Sequence, residues 1–201
     1  MALQENYISQ SQLKSLQNTY APTFLLAKRL KGKQFKEFCL TYGRLSEDVK
    51  NHNSSFVQKE IKECATIFDD VEGKKLDQQQ RTAIVTDEDH NLVIAGAGAG
   101  KTLTIAGKVK YLCERKQIKP KDILLIAFSN KAVDEMNERI AHRMGYEVHA
   151  VTFHKLGIDI IYASKNKKPD VFEDKSFTKF MGDFFKDRIL GSPVVIRFLI
   201  Q

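Results

Sequence analysis

Three glycines alternate with alanines in Ala95-Gly96-Ala97-Gly98-Ala99-Gly100, and Lys101-Thr102 follows at once. That order is chemistry for phosphate. Glycine takes backbone angles closed to other residues, and small alanines let the chain wrap closely around an anion. The loop N–H groups, and the N-terminus of a helix beginning at Lys101, would then point at phosphate oxygens. Lys101 is spaced to reach the β- and γ-phosphates of a nucleotide, and Thr102 to offer a hydroxyl to Mg²⁺. Lys101 and Thr102 are thus the expected catalytic pair, Thr102 the expected Mg²⁺ ligand, and Ala95 to Thr102 the nucleotide loop. Ala95 stands where a first glycine is usual. The alternative is a glycine-rich strand-to-helix turn with no ligand; the Gly-Lys-Thr ending argues against it.

The elements needed to position this loop are legible. Residues 91–95 (NLVIA) form a short apolar run expected to be a buried strand. A helix is expected over 101–115, with Ile105, Ala106, Val109, Leu112 and Cys113 on its apolar side. Residues 122–127 (DILLIA) predict a second strand, residues 131–144 a second helix stopped by Gly145, and residues 148–152 a third strand. Strand, helix, strand, helix, strand predicts a parallel α/β sheet. A short helix opening at Leu76-Asp77 precedes it. Upstream, Leu13, Leu16, Leu25, Leu26, Leu30, Phe35 and Phe38 recur at helical spacing, punctuated by Pro22 and Gly32. Phe56, Val57, Ile61, Cys64 and Phe68 share one side of a further helix, with Asn53-Ser54-Ser55 as its expected N-cap. These helices are expected to form an accessory layer.

Composition narrows the class. The 201 residues are 42% hydrophobic and 28% charged, a globular balance. No apolar run of about 18 residues exists, so no membrane span is expected, and the N-terminus lacks an apolar signal core. Three scattered cysteines, Cys39, Cys64 and Cys113, make neither a disulfide framework nor a zinc site, which fits a reducing cytoplasm. The net charge of +7 admits nucleic acid as a partner. The acidic runs Asp87-Glu88-Asp89-His90 and Asp69-Asp70 precede the glycine loop, whereas a metal-holding carboxylate should end a later strand. Both are expected to be solvated turns.

Three further segments carry a resemblance. Residues 76–83 (LDQQQRTA) resemble the Q-motif of UvrD/Rep-type superfamily 1 DNA helicases, whose glutamine reads adenine; by position it is Gln80. Residues 127–136 (AFSNKAVDEM) are similar to the family's Phe-Thr-Asn-Lys-Ala-x-x-Glu-Met motif, with Ser129 for threonine. Residues 151–154 (VTFH) resemble its Thr-Phe-His motif. All occur in family order, and residues 52–73 resemble the helicase IV branch. The resemblance covers about residues 51–161 and implies ATP and Mg²⁺ as cofactors. It implies a RecA-like P-loop NTPase domain and contacts to single-stranded DNA, or to DNA with a single-stranded tail, from Phe128, Asn130, Lys131, Thr152, Phe153 and His154. Phe128, at the carboxyl edge of a strand, can stack on an unpaired base, or be the last core residue of that strand. Asn130 and Lys131 can touch phosphate or cap the helix they begin.

The implied plan is a helical N-terminal region over 1–72, the first part of the RecA-like domain over 73–163, and the start of an inserted helical domain over 164–201. Residues 176–190 in that last part have helical character. The implied sheet is incomplete. No apolar strand ending in Asp-Glu follows Thr102, and the family's water-activating motif, γ-phosphate arginine and second RecA-like domain are not among these residues. The expectation is therefore the N-terminal portion of an ATP-dependent 3′–5′ DNA translocase and helicase of DNA repair type, binding nucleotide without turnover by itself. A complete small P-loop protein is one alternative. The other is a non-enzymatic DNA- or partner-binding remnant, with the N-terminal helices as the docking surface.

Overall fold

The computed structural model describes residues 6–167 and 174–186. They fall into two compact units, divided between Thr152 and Phe153. In the first unit, helix α1 (Gln10–Ala27) starts at a capping box in which Ser9 and Gln12 satisfy each other's backbone N–H groups. A turn at Gly32, whose φ is +147°, leads into α2 (Lys33–Glu63). The two helices run antiparallel. Tyr42 donates to Gln17 O at 2.9 Å and stacks on Phe24 at 4.4 Å, and Ile8, Leu13, Leu45 and Val49 bury a small core beneath them.

Short α3 (Ala65–Asp69) and α4 (Gln78–Val85) follow, then α5 (Lys101–Glu114). Beyond them come strand β1 (Leu125–Ala127), helix α6 (Asn130–Asn137) and strand β2 (Ala150–Thr152). β1 and β2 pair in parallel, Ile126 opposite Val151. The principal core joins Val57, Ile61 and Cys64 of α2 and its C-cap to Phe68, Leu76, Ile84, Val109, Tyr111, Ile140 and Val148. The end of α2 therefore contributes to the same core as α5, beyond the covering layer expected of it. Gly107 permits the closest approach: a Cβ there would meet Leu76 Cδ1 at 2.8 Å and Ile84 Cδ1 at 2.9 Å. The second unit contains α7 (Phe153–Lys165) and α8 (Asp174–Phe184). Among the described residues, no helix is long and apolar enough to cross a membrane.

Several sequence expectations are corrected. Residues 91–95 form no strand, and Leu92 and Ile94 are 86% and 89% exposed. A short apolar segment becomes a strand only when a neighbouring strand edge pairs with it, and the sheet of the described residues pairs β1 with β2 alone. The sheet therefore has two strands among the described residues, each shorter than expected; Asp122 lies in a 3₁₀ turn. Asn53, Ser54 and Ser55 lie inside α2. Asn53 binds both Ile8 N and Ile8 O, at 2.9 and 2.8 Å, so its amide serves a tertiary contact rather than a cap. Pro22 sits within α1, where the Phe24–Tyr42 stack holds the helix against α2. The helix after β1 becomes π-helical over Glu138–Arg143 before Gly145 ends it. Residues 187–190 of the final expected helix lie outside the described residues.

The acidic runs stay largely exposed, as expected, but they also hold partners far away in the chain. Glu88 accepts from Gln10 N and from the Tyr7 hydroxyl, each at 2.9 Å. Asp89 accepts from Ser11 N at 2.8 Å and from the Ser9 and Ser11 hydroxyls. These carboxylates tie down the N–H groups that open α1, where negative charge is favoured. Hydrogen bonds from Ser11 hold the Asp89 carboxyl below its usual range, while burial and Glu88 push the Tyr7 phenol up to about 12. Asp69 pairs with Arg81 at 2.5 Å and with Lys75 at 3.3 Å.

One buried charge ties α2 to α5. Glu60 is 5% exposed and accepts two hydrogen bonds from Arg115, both at 2.9 Å, and one from Tyr111 at 3.0 Å. The Arg115 hydrogen bonds hold its carboxyl below the ordinary 4.5. Its contribution to stability is thus complete above about pH 4.5 and is withdrawn as the pH falls through the lower folded-state value. We expect Glu60→Ala to cost about 1–3 kcal/mol in urea unfolding near neutral pH, because the buried Tyr111 hydroxyl loses its acceptor and Arg115 keeps only Glu63. Glu60→Gln should cost less at neutral pH, and its unfolding midpoint should fall less than the wild type's on acidification.

Candidate functional site

The glycine loop leads directly into α5, with Gly100 as the N-cap. Gly98 and Gly100 have φ of +75° and +80°, a left-handed region that penalises any side chain. A Cβ at Gly96 or Gly98 would meet nothing within 4 Å, so the loop's concave side is open. No side chain caps α5. Its leading N–H groups therefore form the positive end of the helix dipole with no internal acceptor.

Lys101 folds back into the loop. Its Nζ donates to Gly96 O at 2.7 Å and to Ala95 O at 3.3 Å. Gln80 flanks the other side: Oε1 accepts from Asp77 N at 2.9 Å, and Nε2 donates to Ala99 O at 3.3 Å. Both partners of its amide are backbone groups, one in the capping box that starts α4 and one in the glycine loop. A Cβ on Gly100 would sit 2.6 Å from Gln80 Nε2. Lys108 and Lys110 steady the helix behind the loop, donating to Ile84 O and Asp70 O at 2.6 Å each. Burial pushes the Lys108 ammonium below its ordinary value.

The structure thus brings Gln80 together with residues 95–102. These residues fit a polyphosphate: the loop is exposed, the helix end is positive, and the Lys101 ammonium is hydrogen-bonded to two neutral carbonyls. Thr102, half-buried in the first turn of α5, is adjacent. Among the remaining candidates, those of the first unit lie at or just after the ends of β1 and β2. Phe128 follows β1 and is 96% exposed, so it is no core residue. Ser129, and neither Asn130 nor Lys131, caps α6, accepting from Ala132 N at 3.3 Å. That leaves Asn130 and Lys131 exposed at the start of the helix. Thr152 closes β2. Phe153 and His154 open α7, in the second unit, both exposed.

Sequence reasoning missed the grip of Glu88 and Asp89 on residues 7–11. No local signal marks it, because the partners are 78 to 81 positions apart.

The first unit is a mixed α/β arrangement in which a glycine loop opens a helix and a lysine turns back into that loop. The chain belongs to the UvrD/REP helicase N-terminal domain family, whose model matches residues 76–185. It is 37% identical over 135 residues to "DNA helicase IV" of Escherichia coli K12, covering 67% of this chain and 20% of that protein. It is 37% identical over 91 residues to "ATP-dependent DNA helicase PcrA" of Staphylococcus epidermidis, covering 44% and 12%. It is 36% identical over 119 residues to "Putative ATP-dependent DNA helicase YjcD" of Bacillus subtilis, covering 56% and 15%. The chain thus spans a fifth or less of the length of these relatives.

Gly100→Ala should cost about 1–2 kcal/mol in chemical denaturation, since alanine resists a left-handed φ. It should also push Gln80 off Ala99 O. Combined with Gln80→Ala, which relieves the clash, the loss should be smaller than the sum of the two single losses.

Proposed function

We propose that residues 95–102 are the P-loop of an ATP-binding domain, in the N-terminal part of an ATP-dependent DNA helicase that translocates 3′–5′ on single-stranded DNA. The observation that carries the reading is Lys101 turned into an open glycine loop, with Gln80 hydrogen-bonded to the same loop. Two features support it: the relatives are named as DNA helicases, two of them as ATP-dependent, and the family model's match over residues 76–185 spans this loop.

Gln80 would read adenine by donating and accepting through one amide. To do so it would exchange Ala99 O and Asp77 N for the base. Lys101 would exchange the carbonyls of Ala95 and Gly96 for phosphate oxygens. The N–H groups of the loop and of the first turn of α5 would hold the phosphates, and Thr102 would offer its hydroxyl to Mg²⁺. ATP with Mg²⁺ supplies the phosphoryl-transfer free energy that drives such a motor. Phe128 would stack on an unpaired base, with Asn130, Lys131, Thr152, Phe153 and His154 contacting the single strand.

The proposed plan is a helical N-terminal region over 1–72, the first part of a RecA-like domain over 73–163 and the start of an inserted domain over 164–201. The proposed setting is the cytoplasm, in DNA repair. Hydrolysis also needs a metal-holding carboxylate and a water-positioning group. The sequence after Thr102 offers no apolar strand ending in a carboxylate pair, so the 201-residue chain by itself is proposed to bind nucleotide without turnover.

Calorimetric titration with a non-hydrolysable ATP analogue and Mg²⁺ tests the cradle. Lys101→Ala should weaken binding by about tenfold or more, a charge-assisted phosphate contact being lost. Phe128→Ala should weaken binding of an oligo-dT strand by about 1–3 kcal/mol while sparing the nucleotide. A chain that binds DNA equally well with either residue replaced, and never binds nucleotide, is a DNA- or partner-binding remnant instead. Steady phosphate release by the pure chain would overturn the absence of turnover.

A further inference from the structure

Most of the net positive charge of this chain lies on one helical hairpin. Residues 10–46 carry seven lysines and arginines against one glutamate, a net +6 of the chain's +7. Five of them, Lys28, Arg29, Lys31, Lys33 and Lys36, fall within nine residues at the tip between α1 and α2. All five are exposed. None takes part in the ion pairs formed among the described residues. The described arginines beyond α2 differ: Arg81, Arg115, Arg139 and Arg143 each hold a carboxylate.

Folding does not ask for this charge. Lys33 and Lys36 stand in the first turn of α2, which has no acidic residue and no side-chain cap. Cations there oppose the helix dipole. Five like charges so close also repel one another, and a bound polyanion would relieve both penalties.

The rings of the hairpin indicate which polyanion. A single-strand site pairs cations with free aromatic faces on which bases stack. Here Phe24 and Phe38 stack on Tyr42 at 4.4 and 6.3 Å, and Lys28 lies over Phe24 at 4.5 Å. Of the rings near these cations, Phe24 and Phe38 are thus already in use, and Phe35 is half-buried. That suits phosphates presented at regular spacing, as along a duplex, and suits unstacked bases poorly. We propose that the α1–α2 tip is a sequence-independent docking site for the phosphate backbone of double-stranded DNA, separate from the glycine loop and from Phe128.

The test measures anisotropy of a labelled random-sequence duplex of about 20 base pairs, from about 50 to about 200 mM salt. The variant replaces Lys28, Arg29, Lys31, Lys33 and Lys36 together by glutamine. Wild type should bind with a steep salt dependence. The variant should bind about tenfold or more weakly at the lower salt, with the log–log slope flattened by about 3–4. Its helical circular dichroism and its nucleotide affinity should match the wild type's, so a folding defect or a failed nucleotide site is told apart. A second variant, Leu25, Leu26 and Leu40 to serine, removes exposed apolar surface from the same hairpin. It should bind the duplex as wild type does. Unchanged duplex affinity and slope in the glutamine variant would overturn the proposal. So would duplex binding lost with the leucines alone, or wild-type binding to phosphatidylserine vesicles but not to duplex.

Discussion

A carboxylate removed from water sets the geometry of this molecule. Glu60 is tolerated inside the core only because Arg115 meets it with two parallel donors and Tyr111 adds a third. Such a bidentate pair has one register. α2 cannot slide along α5, nor α5 rotate about its axis, without stranding the charge. The Gly107 contact with Leu76 and Ile84 fixes the spacing to α4 in the same way. α5 is thus held along its length, and its first residue is Lys101. The direction in which the glycine loop aims its N–H groups is therefore decided partly by a helix that begins at Lys33 and never touches the loop.

A second long-range tie enters from the opposite side. Glu88 and Asp89 bind the opening of α1, and the extended stretch into the glycine loop starts directly after them. Their negative charge does for α1 what a capping side chain would do, with about 80 residues of chain between donor and acceptor. The N-terminal hairpin is in this way bonded on both flanks of the segment that bears the site.

What the sequence made legible follows from how local each signal was. The helix after the glycine loop and the short helix opening at Asp77 rest on neighbours within a few positions, and both formed as expected. Gly145 ended its helix for the same reason, a left-handed φ at a helix terminus. The failures involve distant partners. Asn53 reads as a cap but answers Ile8, 45 residues away. Asp89 reads as a solvated acid but answers Ser11. Residues 91–95 have the composition of a buried strand, yet strandness is a property of pairs, and composition reports only half of a pair. Of the candidate site, the cradle and Gln80 were legible together. The exposure of Phe128 was not, because a ring after a strand can point either way.

The bare Leu92-Val93-Ile94 run bears on how this chain behaves in concentrated solution. It is apolar, two of its three residues are β-branched, it has no ladder partner among the described residues, and Leu124 and Ile126 are exposed as well. Such a segment accepts an identical copy as readily as any other strand. Only the mutual repulsion of chains carrying +7 opposes that encounter. Salt screens this repulsion and leaves the apolar attraction intact. The 201-residue chain should therefore be colloidally stable in dilute, low-salt buffer and prone to edge-to-edge clustering as ionic strength and concentration rise.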